Sequence, residues 1–233
     1  MGTLTTICIS LCLSAQSFSQ DRTSNKYGAA TTDSNSLILF SSIGLGDAHF
    51  YGSTSDRHLM LFGVEYDRSL LSRHRFGLSY TPELIPIAVL FQPSISGFGV
   101  PNALAPFTQT QAVYGLGANP VGIEMSFGTF GKVKPFVGGD VGFLYFTKNV
   151  PLRLAAQFNF AVDVKAGLDF RLKSKALTVA YVLHHFSNGY QAIENPGLDS
   201  QMLYVGMKFR FAARHRRETG IDPHFSVAAG KQH

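Results

Sequence analysis

Residues 156–172 read Ala156-Gln157-Phe158-Asn159-Phe160-Ala161-Val162-Asp163-Val164-Lys165-Ala166-Gly167-Leu168-Asp169-Phe170-Arg171-Leu172. Every even position is apolar, while the odd ones carry Gln157, Asn159, Asp163, Lys165, Asp169 and Arg171. Alternation with period two puts one kind of side chain on each face of a β-strand. A soluble sandwich strand alternates in the same way but is usually about five or six residues long. Crossing a bilayer at a tilt takes about 9 to 11 residues, which this stretch exceeds. It reads as a membrane strand with an oily outer face and a polar inner one.

The same rhythm recurs at Met60 to Asp67, Phe76 to Thr81, Val121 to Phe127 and Pro135 to Tyr145. A first strand around Leu37 to Ile43, one from about Leu177 to Ser187 and a last one from about Ser200 to Phe211 bring the count to eight. The fold class expected is all-β, an eight-stranded antiparallel transmembrane barrel of the bacterial outer membrane, its lumen filled by side chains. Asp140, Asp163, Lys165 and Asp169, with Lys208 and Arg210, fall on the inward parity and are expected to neutralise one another there. Ser69 to Arg75, Gly128 to Lys134 and Leu172 to Ala176 read as short turns on one side. Pro82 to about Thr110 reads as a long loop on the other, because Pro82, Pro86, Pro93 and Pro101 disfavour a hydrogen-bonded strand.

Composition fits this class. Of 233 residues, 45% are hydrophobic and 15% charged, against roughly a quarter charged in soluble domains. No apolar run reaches the length of a transmembrane helix. Residues 1–19 read as a cleaved signal peptide, with an apolar stretch from Thr3 to Ser14 and small residues at Ser17-Phe18-Ser19, although its start lacks Lys or Arg. Cys8 and Cys12 both lie within it, so the mature chain would have no thiol. Residues 20–35 form a lead-in, 36–211 the barrel and 212–233 a basic tail opening with Arg214, His215, Arg216 and Arg217, expected in the periplasm. The net charge of +5 is spread over a barrel, and nucleic acid is not expected as a partner.

One segment carries chemistry. His185 and Ser187 are two residues apart, so on a strand both leave the same face with Cα atoms roughly 6.5 to 7 Å apart. Asp199 follows the serine, and paired residues of an antiparallel hairpin keep a constant sum, so its odd parity is that of His185 and Ser187. The three side chains are expected outside the wall, at the end of the last two strands, as nucleophile (Ser187), base (His185) and orienting acid (Asp199). His184 has the opposite parity and is expected at the lumen or rim. Glu194 is an alternative acid within the connecting loop.

His185-Phe186-Ser187-Asn188, the later acid and the intervening Asn195-Pro196-Gly197 resemble the outer-membrane lipid A 3-O-deacylase family. The likeness is close over the last two strands and loose over the barrel. It implies a Ser-His-acid esterase acting on lipopolysaccharide, with Asn188 and the backbone near Gly189 as candidate oxyanion donors and neither metal nor cofactor. Glutamate is commoner in the family where Asp199 stands here. His185 to Gly189 also resembles outer-membrane phospholipase A, which implies calcium, an asparagine as third member and twelve strands. A non-enzymatic barrel binding a partner through its outer loops is a further alternative, and whether two barrels pair as a homodimer is left open.

Overall fold

A computed structural model describes residues 34–48, 50–73, 75–93 and 110–212. The signal-peptide reading, most of the lead-in, the greater part of the basic tail and residues 94–109 of the long loop lie outside these. The described residues form nine strand segments: β1 (Ser34–Ala48), β2 (His58–Arg73), β3 (Phe76–Tyr80), β4 (Glu83–Pro93), β5 (Thr110–Phe127), β6 (Val133–Val150), β7 (Ala156–Arg171), β8 (Lys175–Ser187) and β9 (Leu198–Ala212). All pairings between them are antiparallel, and β1 pairs with both β2 and β9, which closes the sheet on itself. β3 and β4 each lie between β2 and β5, so they are two segments of one wall strand. The barrel has eight wall strands.

One sequence expectation is corrected here. Glu83 to Pro93 is not loop but the strand β4, paired with β2 and β5. Proline cannot donate to a ladder, and the structure meets this at Pro86 by breaking register rather than ending the strand. Pro82 sits in the gap between β3 and β4, spanned by Thr81 N–H to Gly122 O and Tyr66 N–H to Pro82 O, both 2.9 Å. Pro86 has no partner on either side, because the register shifts between Phe62 and Val64 on β2 and between Ile85 and Ala88 within β4. That irregularity also changes the buried set from Glu83 and Ile85 to Ala88, Leu90 and Gln92, which hides the strand from a period-two reading.

Outward positions such as Val121, Ile123, Val141, Val162, Val164 and Val205 are exposed apolar side chains, the lipid-facing band of a membrane barrel. The lumen is layered. Toward the end with the longer connections it is apolar, with Leu59, Leu90, Leu144, Phe146, Phe186 and Met202 buried. In the middle Lys165 Nζ lies 2.9 Å from Glu83, 2.9 Å from Asp140 and 3.0 Å from Glu65. Nearer the short turns Lys208 Nζ contacts Asp169 at 2.7 Å and Asp67 at 3.1 Å. Arg210 shares the inward parity but is exposed at that end. The charge network is larger than expected, because Glu65 and Asp67 join it from β2 and Glu83 from the strand that reads as loop.

Candidate active site

β8 and β9 meet in a register that sets His185 directly opposite Asp199. Directly paired residues on one face have Cβ atoms about 4.5–5.5 Å apart, within reach of an imidazole and a short carboxylate. His185 Nδ1 lies 2.5 Å from Asp199 Oδ1. The carboxylate accepts and the ring nitrogen donates, so the other nitrogen, Nε2, is left as the basic atom. The His185 side chain is 27% exposed and that of Asp199 only 1%. Glu194 makes no such contact: its backbone N–H donates to Leu154 O at 3.3 Å and its carbonyl accepts from Asn188 Nδ2 at 2.6 Å.

Asp199 is covered although its parity points outward, and the cover is the connection between β1 and β2. The backbone N–H groups of Phe50, Tyr51 and Gly52 donate to Asp199 Oδ2 at 2.5, 2.7 and 2.9 Å. The same connection is pinned to the start of β9 by Ser53 N–H to Pro196 O at 2.7 Å and Thr54 Oγ1 to Gly197 O at 2.6 Å. These donors escaped the sequence reading because main-chain amides leave no side-chain signature. The close approach shows at Gly52, where a Cβ would lie 2.8 Å from Asp199 N.

Ser187, half-buried at the end of β8, shares a cleft of about 540 Å³ with His185, Asp199, Phe50, Tyr51, Val162, Val164, Leu183, Tyr190 and residues 195–197. The cleft is apolar on its barrel side. Tyr51 and Tyr190, both close to fully exposed, stand at its mouth, and the Tyr51 ring meets His185 edge-on at 6.0 Å. Gly197, at φ +62°, makes room for the imidazole, since a Cβ there would lie 3.0 Å from His185 Cε1.

The two candidate oxyanion residues differ. Asn188 is buried, its N–H donating to Asn195 Oδ1 at 3.0 Å and its Nδ2 to Glu194 O, so it braces the β8–β9 loop. Gly189 is exposed beside it at φ +61°. His184 lies on the lumen face, its Nδ1 in a short contact with Asp163 Oδ1. Oxygens of Glu83, Asp140 and Asp163 lie within 4.8 Å of one another, a grouping fit for a cation, and the Lys165 ammonium supplies that charge to two of the three.

Residues 75–208 match the family described as lipid A 3-O-deacylase (PagL). No curated protein sequence matches the chain. Among solved structures, the outer membrane enzyme PagL is similar with a TM-score of 0.53 and 17% identity, over 72% of this chain and 97% of that one. The outer membrane protein OprG from Pseudomonas aeruginosa gives 0.44 and 12% identity, over 78% of this chain and 98% of that one. Neisserial surface protein A gives 0.42 and 12%, over 76% and 97%. Likeness at such identity speaks for the fold, whereas the family match spans more than half of the sequence and takes in β8 and most of β9. The chain belongs to the lipid A 3-O-deacylase (PagL) family and is an outer-membrane β-barrel.

Proposed function

We propose that the chain is an outer-membrane serine esterase that hydrolyses the 3-O-linked acyl chain of lipid A, with Ser187 as nucleophile, His185 as base and Asp199 as orienting acid. The observation that carries this reading is the hydrogen-bonded His185–Asp199 pair beside Ser187, in an apolar cleft on the lipid-facing side of the wall, in a chain of this family. With the amino terminus in the periplasm, the longer connections and the cleft lie at the outer leaflet, at the depth of lipopolysaccharide acyl esters. Residues 1–19 then act as an export signal and 212–233 as a periplasmic tail.

Chemistry follows from the arrangement. His185 Nε2 takes the Ser187 proton as Oγ attacks the ester carbonyl, and the imidazolium that forms is stabilised by Asp199. The imidazolium returns the proton to the departing sugar hydroxyl, leaving an acyl-serine that water, activated by the same histidine, releases as a free hydroxy acid. Gly189 N–H is the candidate donor to the oxyanion, and Asn188 supports it by holding the loop. Val162, Val164 and Leu183 offer the acyl chain a surface continuous with the lipid phase.

Mass spectrometry of lipid A after incubation with the detergent-folded protein tests the reading. Loss of one hydroxyacyl group from the 3 position, abolished in Ser187→Ala and indifferent to chelator, is the expected result. Intact lipid A with calcium-dependent release of fatty acid from phospholipid would make the chain a phospholipase instead. Turnover of neither would leave a binding barrel.

A further inference from the structure

We propose that residues 50–52, in the connection between β1 and β2, are the positioning element of the site. They form a backbone nest whose three consecutive amides hold Asp199 in the one orientation that presents Oδ1 to His185. This inference rests on the triad reading above and adds a part of the molecule that contributes no side-chain chemistry.

A carboxylate on the lipid-facing side of a wall is costly unless its lone pairs are taken. Asp199 meets that condition with four donors divided between its oxygens: Phe50, Tyr51 and Gly52 N–H on Oδ2, His185 Nδ1 on Oδ1. Successive amides converging on one anion are a nest, a fixed patch of partial positive charge. Three amides on one oxygen remove the freedom of the carboxyl to rotate, so the second oxygen, and with it the tautomer of His185, is set by the loop. The geometry depends on Gly52, where a Cβ would lie 2.8 Å from Asp199 N and 3.0 Å from backbone atoms of Leu198, none of which can yield without moving β9. Thr54, which bridges Leu198 and donates to Gly197 O, locks the nest in place.

Two variants test this in the full-length, detergent-folded protein. Tyr51→Pro removes one donor, and Gly52→Ala pushes the nest off β9. The expectation is a kcat lowered about 10- to 100-fold with KM within about twofold, the size of loss that follows when a group orienting a catalytic histidine is disturbed. The far-downfield proton signal of His185 Nδ1 should weaken or move in parallel, which a change in overall stability alone would not produce. If Gly52→Ala does not fold, Tyr51→Pro carries the test. A folded variant with wild-type kcat and an unmoved signal overturns the proposal. Ser187→Ala in the same assay keeps the two readings apart: activity surviving there removes the triad itself, whereas its loss beside fully active nest variants removes only the nest.

Discussion

His184 and His185 are neighbours on β8, and each presents Nδ1 to an aspartate directly across a ladder, His184 to Asp163 on β7 and His185 to Asp199 on β9. As local chemistry the two pairs are alike. They differ in what surrounds them. His184 is 2% exposed, edge-on to Phe186 at 6.0 Å inside the lumen, its aspartate shared with Asn119 Nδ2 at 3.2 Å. His185 looks into an open cleft with a hydroxyl two residues along its own strand. A His–Asp pair is therefore an ordinary product of strand register, and what singles out the proposed site is its face: access, a hydroxyl of matching parity and a fixed acid.

The comparison breaks most sharply by exchanging the two histidines' fates. His185→Gln is expected to lower the deacylation rate by about 10⁴- to 10⁶-fold, as loss of a triad member does, with the thermal unfolding midpoint nearly unchanged. Equal losses from His184→Gln and His185→Gln would show that the lumen pair takes part in the reaction and that face does not decide. Lys165→Met probes the lumen more severely than either. It would leave Glu65, Glu83 and Asp140 buried without their shared cation, for an expected loss of about 3–5 kcal/mol measured by denaturant unfolding in detergent. His184→Gln is the milder case. It should cost about 1–3 kcal/mol of stability, because Asp163 keeps Asn119 as a partner, and should leave kcat within a few-fold.

The same contrast explains what was legible beforehand. Strands without a break, β7 above all, announce themselves by parity, and parity put His185, Ser187 and Asp199 on one face, whereas the register that sets His185 directly opposite Asp199 is read from the structure. β4 was not legible, because Pro86 sits at a register shift that changes the inward parity midway, and with β4 went the part that Glu83 plays in the lumen. The amides that hold Asp199 come from residues more than 140 positions away in sequence, and pairing of that range is set by barrel closure rather than by any local pattern. Side chains with a period could be read; backbone donors and irregular registers could not.

The smallest effect expected lies at the mouth of the cleft, and it separates a ring from the backbone beneath it. Tyr190 is 87% exposed and holds φ at +63°, a left-handed conformation that costs a side-chain-bearing residue about 1–2 kcal/mol. Its ring rests on nothing in the core, so the fold gains little from it. Tyr190→Gly removes both the ring and the conformational cost, but glycine also gains freedom in the unfolded chain, by about 0.4–1 kcal/mol, so stability should change by less than about 1 kcal/mol. If the ring guides an acyl chain into the cleft, KM should rise about fivefold, corresponding to roughly 1 kcal/mol of binding, while kcat holds. An unchanged KM would leave substrate recognition to Phe50 and Tyr51 on the β1–β2 connection and to the wall residues Val162, Val164 and Leu183. The outward face would then differ from the lumen by its access, the nucleophile and the held acid, and not by the Tyr190 ring.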